Sequence, residues 1–316
     1  MDVSIIIVNW NTLALLRDCL NSIYEQVGDV SYEIVVVDNA SSDGSPEMVS
    51  SDFPSVLLVV EDANRGYAAA INSGIRRAKG RYALILNSDI LICDLAIEKT
   101  VKYADRHPEA AVIGCQVMKS RDEMQTTCFR FPSLLNLSLR VSGLARVFKY
   151  NRFFGRENML WWQRSSEREV DVVSGMFMLV RYEAIEKVGM MDESYFLFYE
   201  DTDWCYRFAQ AGWKMLFWPG AKIIHIDGGN KSTDQDDLRM FVQYRKSLLT
   251  FFKKNYGLVS YLTARLLLTL SLGLRCCFWT FVAVLKRMLT DNMNYKAEKR
   301  RKCWSAFKFC VFGSEP

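Results

Sequence analysis

The chain has 316 residues, half of them hydrophobic and 24% charged, which is enough for a large core and excludes a disordered chain. A formal net charge of +4 is too small to point to nucleic acid as a partner. Nine cysteines without the paired short spacings of a zinc site or disulfide scaffold read as reduced, structural thiols in a cytoplasmic setting.

The opening MDVSIIIVNWN carries no basic leader and predicts a first strand over SIIIVNW rather than a signal peptide. Leu13, Leu16, Leu20 and Ile23 follow at helical spacing. EIVVVDN and VLLVVE are continuous apolar runs, as in strands covered on both faces. The pattern then predicts a helix over 66–79, a strand at LILNSDI, a helix over 94–106 and a fifth strand at AAVIGC. This alternation defines an α/β class with a doubly wound, mostly parallel sheet of nucleotide-binding type. No GxGxxG follows the first strand, which argues against a dinucleotide-binding dehydrogenase.

Three polar clusters end strands: Asn9 to Asn11, Asp38 to Asp43, and Asn87-Ser88-Asp89. Carboxyl ends of strands line one edge of such a sheet, so these clusters converge on one crevice. Asp38 suits either the N–H of a base or an Asx-turn with Ser41 and Ser42. In NRGYAAAIN, small residues permit close helix packing, and the helix amides and Arg65 suit a phosphate; a solvated Arg65 is the competing reading.

VSIIIVNWN, EIVVVDNASSDGS, NRGYAAAIN, LILNSDI, VDVVSGMFMLVRYEAIEKVGMMDESYFLFYEDTDWCYR and IIHIDGG, in this order from Val3 to Gly229, together resemble the inverting GT-A glycosyltransferases of family 2, in particular the bacterial rhamnosyltransferase-like branch. The resemblance implies a nucleotide-diphosphate sugar donor, with the base near Asn9, Asn11 and Asp38, and Asn64, Arg65 and Gly66 beside the nucleotide. It also implies a divalent cation, Mg2+ or Mn2+, near Asp89. Many relatives carry Asp-x-Asp where this chain has Asn87, Ser88 and Asp89; a hard cation accepts amide or water oxygen too, so binding is expected to survive, weakened without donor. His225 resembles a histidine that completes the metal shell in some relatives, against the alternative of a structural histidine.

In YFLFYEDTDWCYR, Glu200, Asp201 and Asp203 crowd the first turn of a predicted helix. Capping accounts for one acid, not three. The resemblance assigns the general base to the Glu200–Asp201 pair, with Asp201 expected as base and Glu200 positioning the acceptor. Gly175, in VVSGMF, suits close backbone approach to sugar or acceptor, or marks a bulge. Direct displacement at the anomeric carbon needs one base and neutralisation of the leaving diphosphate, and no covalent nucleophile.

Residues 116–169 are rich in Arg, aromatic residues and Ser. Leu134, Leu137, Val141 and Leu144 share one helical face, with Arg140, Arg146, Lys149 and Arg152 near it, a pattern for a partner helix or for anionic lipid. Residues 258–285 approach the length of a bilayer span but include Arg265 and Arg275, and seven basic residues follow (Lys286, Arg287, Lys296, Lys299, Arg300, Arg301 and Lys302) against Asp291 and Glu298. Arginines at mid-membrane are costly, so interfacial helices are expected rather than a span; a soluble helical pair for oligomerisation is the alternative.

These readings converge on residues 1–255 as a catalytic domain and 256–316 as a helical, basic, membrane-associating region. The expected protein is a metal-dependent inverting glycosyltransferase on the cytoplasmic face of the cell membrane, extending a lipid-linked or polysaccharide glycan, with a homo-oligomer open. A sugar-phosphate nucleotidyltransferase is the enzymatic alternative, although NWNTLALL lacks the glycine-rich loop it needs. A membrane-peripheral scaffold without turnover is the other.

Overall fold

The computed structural model describes residues 1–119, 123–226, 237–289 and 294–313. Asp227, Gly228, Gly229 and Asp291 lie outside them, as do the side chains of Lys286, Arg287, Lys296, Glu298 and Lys299. The chain divides into two compact units, one of residues 1–131 and 157–234, the other of 132–156 and 235–316. The expected boundary at residue 255 thus falls inside the second unit, which also takes in 132–156.

The first unit begins with β1 (Val3–Asn9), α1 (Leu13–Gln26), β2 (Tyr32–Asp38), α2 (Ser45–Asp52), β3 (Leu57–Val60), α3 (Tyr67–Ile75), β4 (Tyr82–Asn87) and β5 (Ile90–Ile92). It continues through α4 (Ala96–Asp105), β6 (Ala110–Met118) and β7 (Cys128–Phe129). Within the second unit lie α5 (Leu134–Val141) and α6 (Leu144–Val147). The chain then returns as β8 (Arg168–Val170), β9 (Val172–Val173), β10 (Phe177–Arg181), α7 (Tyr182–Val188), α8 (Glu200–Gln210) and β11 (Lys214–His225).

The main sheet runs β3-β2-β1-β4-β10-β6-β11-β5, with β8 on β11, while β7 and β9 pair separately. β1 is parallel to β2 and β4, and their register sets Asn9 beside Asp38. Period-two alternation divides β1 between the two faces. Val3, Ile5 and Ile7 pack with Leu16, Leu20 and Ile23 of α1. Ile6 joins Val35, Val37 and the small residues Ala68 and Ala70 of α3 on the other face, with Trp204 and Phe208 of α8.

The mostly parallel α/β sheet is as expected, with one feature that the strand–helix alternation does not contain. β10 lies antiparallel between β4 and β6, so the fourth and fifth predicted strands are not neighbours. The LILNSDI strand stops at Asn87, and Ile90–Ile92 becomes a separate strand antiparallel to the end of β11. The helix predicted over 66–79 is shorter at both ends: Gly66, at φ 91°, lies outside it, and the helix stops at Ile75.

In the second unit, Gly143 at φ 83° ends the run after α5, so Leu144 sits on a separate short helix rather than on the face of Leu137. Two long helices follow, α9 (Asp237–Leu289) and α10 (Asn294–Phe312), and Gly257 at φ 80° divides α9 into two arms. α5 packs on the first arm, where Arg140 donates to the Tyr244 hydroxyl at 2.6 Å. α10 lies along the second arm. Arg265 donates to the carbonyls of Cys310 (2.5 Å) and Val311 (2.9 Å), the last turn of α10. The arginine that argued against a span is thus a helix cap, placed where the helix dipole favours a cation.

Asn72 of α3 controls the loop that leads to α8. Buried, it accepts from the Met191 amide at 3.0 Å and donates to the Met191 carbonyl at 2.8 Å and to Glu193 at 3.1 Å. Asn72→Ala strands both backbone groups and is expected to cost about 2–4 kcal/mol. Urea denaturation measures it, and a change within about 0.5 kcal/mol of wild type would show that the loop is held by other contacts.

Candidate active site

The three strand ends meet as the sheet topology requires. Asn9 donates to Asp38 Oδ1 at 2.9 Å and to the Ser41 hydroxyl at 3.1 Å, and its own oxygen accepts from Thr12 at 2.6 Å. Thr12 also meets Ser88 at 2.9 Å, which joins the first cluster to the third. Asp38 Oδ2 accepts the Ser41 amide at 2.8 Å, so the Asx-turn is built. With Asp38 only 1% exposed, its carboxylate shapes the loop over 39–43 rather than standing open in the crevice. Asn11, at φ 53°, accepts the Ser42 amide at 2.8 Å and fixes the same loop from the other side.

Asn39, not singled out in the sequence, joins this loop to the NRG segment. It donates to Asn64 at 3.0 Å and to the Gly66 carbonyl at 3.3 Å, and accepts the Arg65 amide at 3.2 Å. The Arg65 guanidinium, half exposed, pairs with Glu193 at 3.1 Å. That ion pair fits the solvated surface reading. A side chain at Gly66 would place its Cβ 2.4 Å from the Phe196 carbonyl oxygen, which accepts the Tyr67 amide at 2.7 Å. The glycine therefore lets α3 begin against the 190–199 loop.

Asp89 and His225 are brought together from opposite ends of the sequence, as β5 pairs with the end of β11. His225 Nε2 lies 2.9 Å from Asp89 Oδ2, and Nδ1 lies 2.7 Å from Gln125 Oε1. Gln125, on the short segment after β6, carries no motif and was missed. It orients the ring from behind, as outer partners of metal-binding histidines do. Asp89 Oδ1 is buried and has no hydrogen-bond partner. An orphaned carboxylate oxygen beside an imidazole is an oxygen–nitrogen donor set suited to a divalent cation. Among the described residues no group of three or more His, Cys, Asp or Glu side chains gathers around one point, and Asp89 and His225 are the pair found here.

A relay of hydrogen bonds runs from Asn87, two residues before Asp89, to the second carboxylate cluster. The Tyr67 hydroxyl lies 3.0 Å from Asn87 Oδ1 and 3.1 Å from the Gly175 carbonyl, and the Gly175 amide donates to Asp201 Oδ2 at 3.1 Å. Asp201 Oδ1 accepts the Thr202 amide at 2.6 Å. Phe198 and Tyr199 precede α8 at φ 68° and 67°, a left-handed pair costly for bulky residues. Glu200 is 6% exposed and its Oε2 has no partner. Burial, then the Asp201 charge, holds the Glu200 carboxyl well above the usual range. Burial also raises Asp201, opposed by bonds from Gly175 and Thr202. The Tyr67 hydroxyl is raised by burial and then by Glu200, Asp201 and Asp89.

Asp203 does not belong to this site. It accepts from Tyr195 at 3.3 Å and pairs with Arg207 at 2.9 Å, inside the fold. The nine cysteines are free thiols, and burial pushes Cys128 up to about 12, far from a ready nucleophile.

A mostly parallel sheet with an antiparallel β10 beside the crevice, and acids gathered at its carboxyl edge, is the arrangement of a GT-A glycosyltransferase. The chain belongs to glycosyl transferase family 2, whose family model matches residues 4–189. It is similar to N-acetylglucosaminyl-diphospho-decaprenol L-rhamnosyltransferase of Mycobacterium tuberculosis, at 27% identity over 71% of this chain and 75% of that one. The low-salt glycan biosynthesis hexosyltransferase Agl10 of Haloferax volcanii is 24% identical over 85% of this chain and 82% of its own. dTDP-rhamnosyl transferase RfbF of Shigella flexneri is 29% identical over 66% and 64%. Among solved structures, the mannosyltransferase PcManGT from Pyrobaculum calidifontis, in complex with GDP-Man and Mn2+, shares the fold with a TM-score of 0.56 at 18% identity, over 99% of this chain and 88% of that one. The protein is thus a family 2 glycosyltransferase of the rhamnosyltransferase-like kind.

Tyr67→Phe removes the hydroxyl that joins Asn87 to Gly175 and leaves the ring in place. Turnover is expected to fall about tenfold or more with the melting temperature within a few degrees of wild type, since one hydrogen bond is worth about 1 kcal/mol. Stopped assays with donor saturating give the number; wild-type turnover would show the relay to be incidental.

Proposed function

We propose that the protein is a metal-dependent, inverting glycosyltransferase that moves a sugar, rhamnose foremost, from a nucleoside-diphosphate donor to a hydroxyl of a lipid-linked glycan. The observation that carries this reading is the Asp89–His225 pair with its orphaned oxygen, two residues on from Asn87, from which Tyr67 and Gly175 lead by hydrogen bonds to Asp201. Two of the relatives, an N-acetylglucosaminyl-diphospho-decaprenol L-rhamnosyltransferase and a dTDP-rhamnosyl transferase, support the donor sugar and the lipid-linked acceptor.

The base of the donor lies over the loop that Asn9, Asn11 and Asp38 shape, with Asn64 and Gly66 along the nucleotide and Ser88 towards the diphosphate. Asp89 and His225 hold Mg2+ or Mn2+, which when bound neutralises charge on the leaving diphosphate. Asp201 is the general base. Of the two acids it is the more accessible, and three donors orient its carboxylate. It takes the proton of the acceptor hydroxyl as that oxygen bonds to the anomeric carbon from the face opposite the departing phosphate oxygen, inverting the centre in one displacement. Glu200, the neighbouring acid, positions the acceptor, while burial keeps Asp201 basic.

The helical unit supports attachment to the cytoplasmic face of the membrane. Leu238–Val282 is long enough to cross a membrane and contains an 18-residue stretch with a mean hydropathy of 1.5. From 258 to 274 the exposed side chains are all aliphatic, among them Leu258, Leu262, Leu266, Leu270 and Leu274. A helix of a water-soluble bundle carries polar residues there. We read the second arm of α9 as lying in the interface with its leucines in the acyl region.

Asp201→Asn is expected to lower turnover about 100- to 10,000-fold with unchanged donor affinity. Glu200→Gln has a separate signature. A carboxyl whose pKa is raised on folding stabilises the fold below its unfolded pKa, and this contribution is lost as pH rises through the folded value. The neutral Gln should therefore melt above wild type near about pH 8, with the gap closing towards about pH 4. Melting curves across pH check it. If Glu200→Gln is inactive while Asp201→Asn turns over, the two roles are exchanged.

Asp89→Asn should remove the strongest cation ligand and the Mn2+-dependent part of turnover while the fold is kept. Titration of Mn2+ by its paramagnetic effect on water protons, with nucleoside diphosphate present, reads binding directly. Wild-type affinity in that variant would remove Asp89 from the cation site.

A further inference from the structure

The second unit displays another surface, on the turn that follows α6. Val147, Phe148, Tyr150 and Phe153 are exposed by 72%, 48%, 67% and 53%, a concentration of large apolar side chains that a soluble surface avoids. The turn that carries them is built, not loose. Asn151 Oδ1 accepts the amides of Phe153 (2.8 Å) and Phe154 (3.2 Å), and its carbonyl accepts the Gly155 amide at 2.8 Å. A Cβ on Gly155 would come within 2.0 Å of the Lys149 carbonyl oxygen, so the turn closes tightly. Phe154 packs edge-on to Phe153 and against Phe148, which leaves the outer rings fixed in place.

Cations alternate with these apolar groups. Arg146, Lys149, Arg152 and Arg156 are all exposed, and no Asp or Glu occurs in the sequence between Glu123 and Glu157. Lys149 lies over the Tyr150 ring at 4.9 Å, an amphipathic pairing of the kind found at the level of lipid headgroups.

We propose that the turn over 147–153 is a second membrane-contacting element, which inserts Val147, Tyr150 and Phe153 among lipid headgroups while Arg146, Lys149 and Arg152 meet anionic lipid. This rests on the membrane part of the preceding reading and adds to it a contact independent of the α9 leucines. Charge complementarity selects the partner, because interleaved cations without a single acid fit a surface of phosphate charges better than they fit a second copy of the same cationic turn. An ordered aromatic turn also inserts without the entropy cost of ordering a loop.

Full-length protein is sedimented with vesicles of phosphatidylcholine alone and with vesicles one-third phosphatidylglycerol. Wild type is expected to prefer the anionic vesicles. R146E/K149E/R152E should lose that preference, by on the order of a hundredfold in partition from the three lost cations alone. V147S/Y150S/F153S should weaken binding to both vesicle types about tenfold or more. Both variants should retain wild-type donor turnover with a water-soluble acceptor and a wild-type circular dichroism spectrum. Wild-type vesicle binding by both variants would overturn this inference and leave attachment through α9 standing. A dimer by light scattering that either variant dissolves would overturn it in favour of contact between copies. Failure of the wild type to bind any vesicle would overturn the membrane reading as a whole, and turnover in the same samples would leave glycosyl transfer standing.

Discussion

The side-by-side register of β2, β1 and β4 is the constraint on which the site depends. Because these strands are parallel and Asn9 is the direct partner of Asp38, their polar ends finish at the same level. A buried polar pair at that level needs partners, and it finds them in the loops that emerge there, Ser41 and Thr12 among them. The crevice floor is therefore a product of the sheet's hydrogen bonding rather than of loop sequence. A register slip of one residue would turn Ile5 and Ile7 to the wrong layer as well as dispersing the polar ends, so fold and site are specified together.

Much of this was legible because the signals were local. Continuous apolar strands with polar ends gave the first half of the sheet, and ordered motifs gave the family. What escaped depends on long-range pairing. Nothing in the composition of FMLVR shows that β10 inserts antiparallel between β4 and β6. Tyr67 and Gln125 were missed for a related reason. Tyr67 looked like part of a helix start, and its role comes from Gly175, which β10 carries to it from more than a hundred positions away. Gln125 matters because β11 returns His225 next to it. Asp38 and Arg65, each open to two readings, both have protein partners for their charge, Asp38 within its loop and Arg65 on the surface.

The two acid pairs show how one crevice holds opposite electrostatic tasks. Asp89 meets an imidazole and keeps one bare oxygen, a setting that favours an arriving cation. Glu200 is buried beside another acid, a setting that penalises its charge, and burial raises the neighbouring Asp201 as well. The left-handed Phe198–Tyr199 pair places both acids at the opening turn of α8, a local cost that the packed loop sustains.

The second unit is assembled from two stretches of chain, 132–156 and 235–316, separated by the segment that carries β8 to β11. During synthesis the first stretch emerges long before its helical partners exist, and domains form in the order their parts appear. The intervening residues up to His225 complete β10, α8 and β11, so the crevice can close while the early aromatic turn still lacks α9 and α10. Catalytic folding thus precedes the assembly of the helical platform. The contacts that then close the second unit, such as the Arg265 cap on Cys310 and Val311, form on a chain whose sheet is already complete.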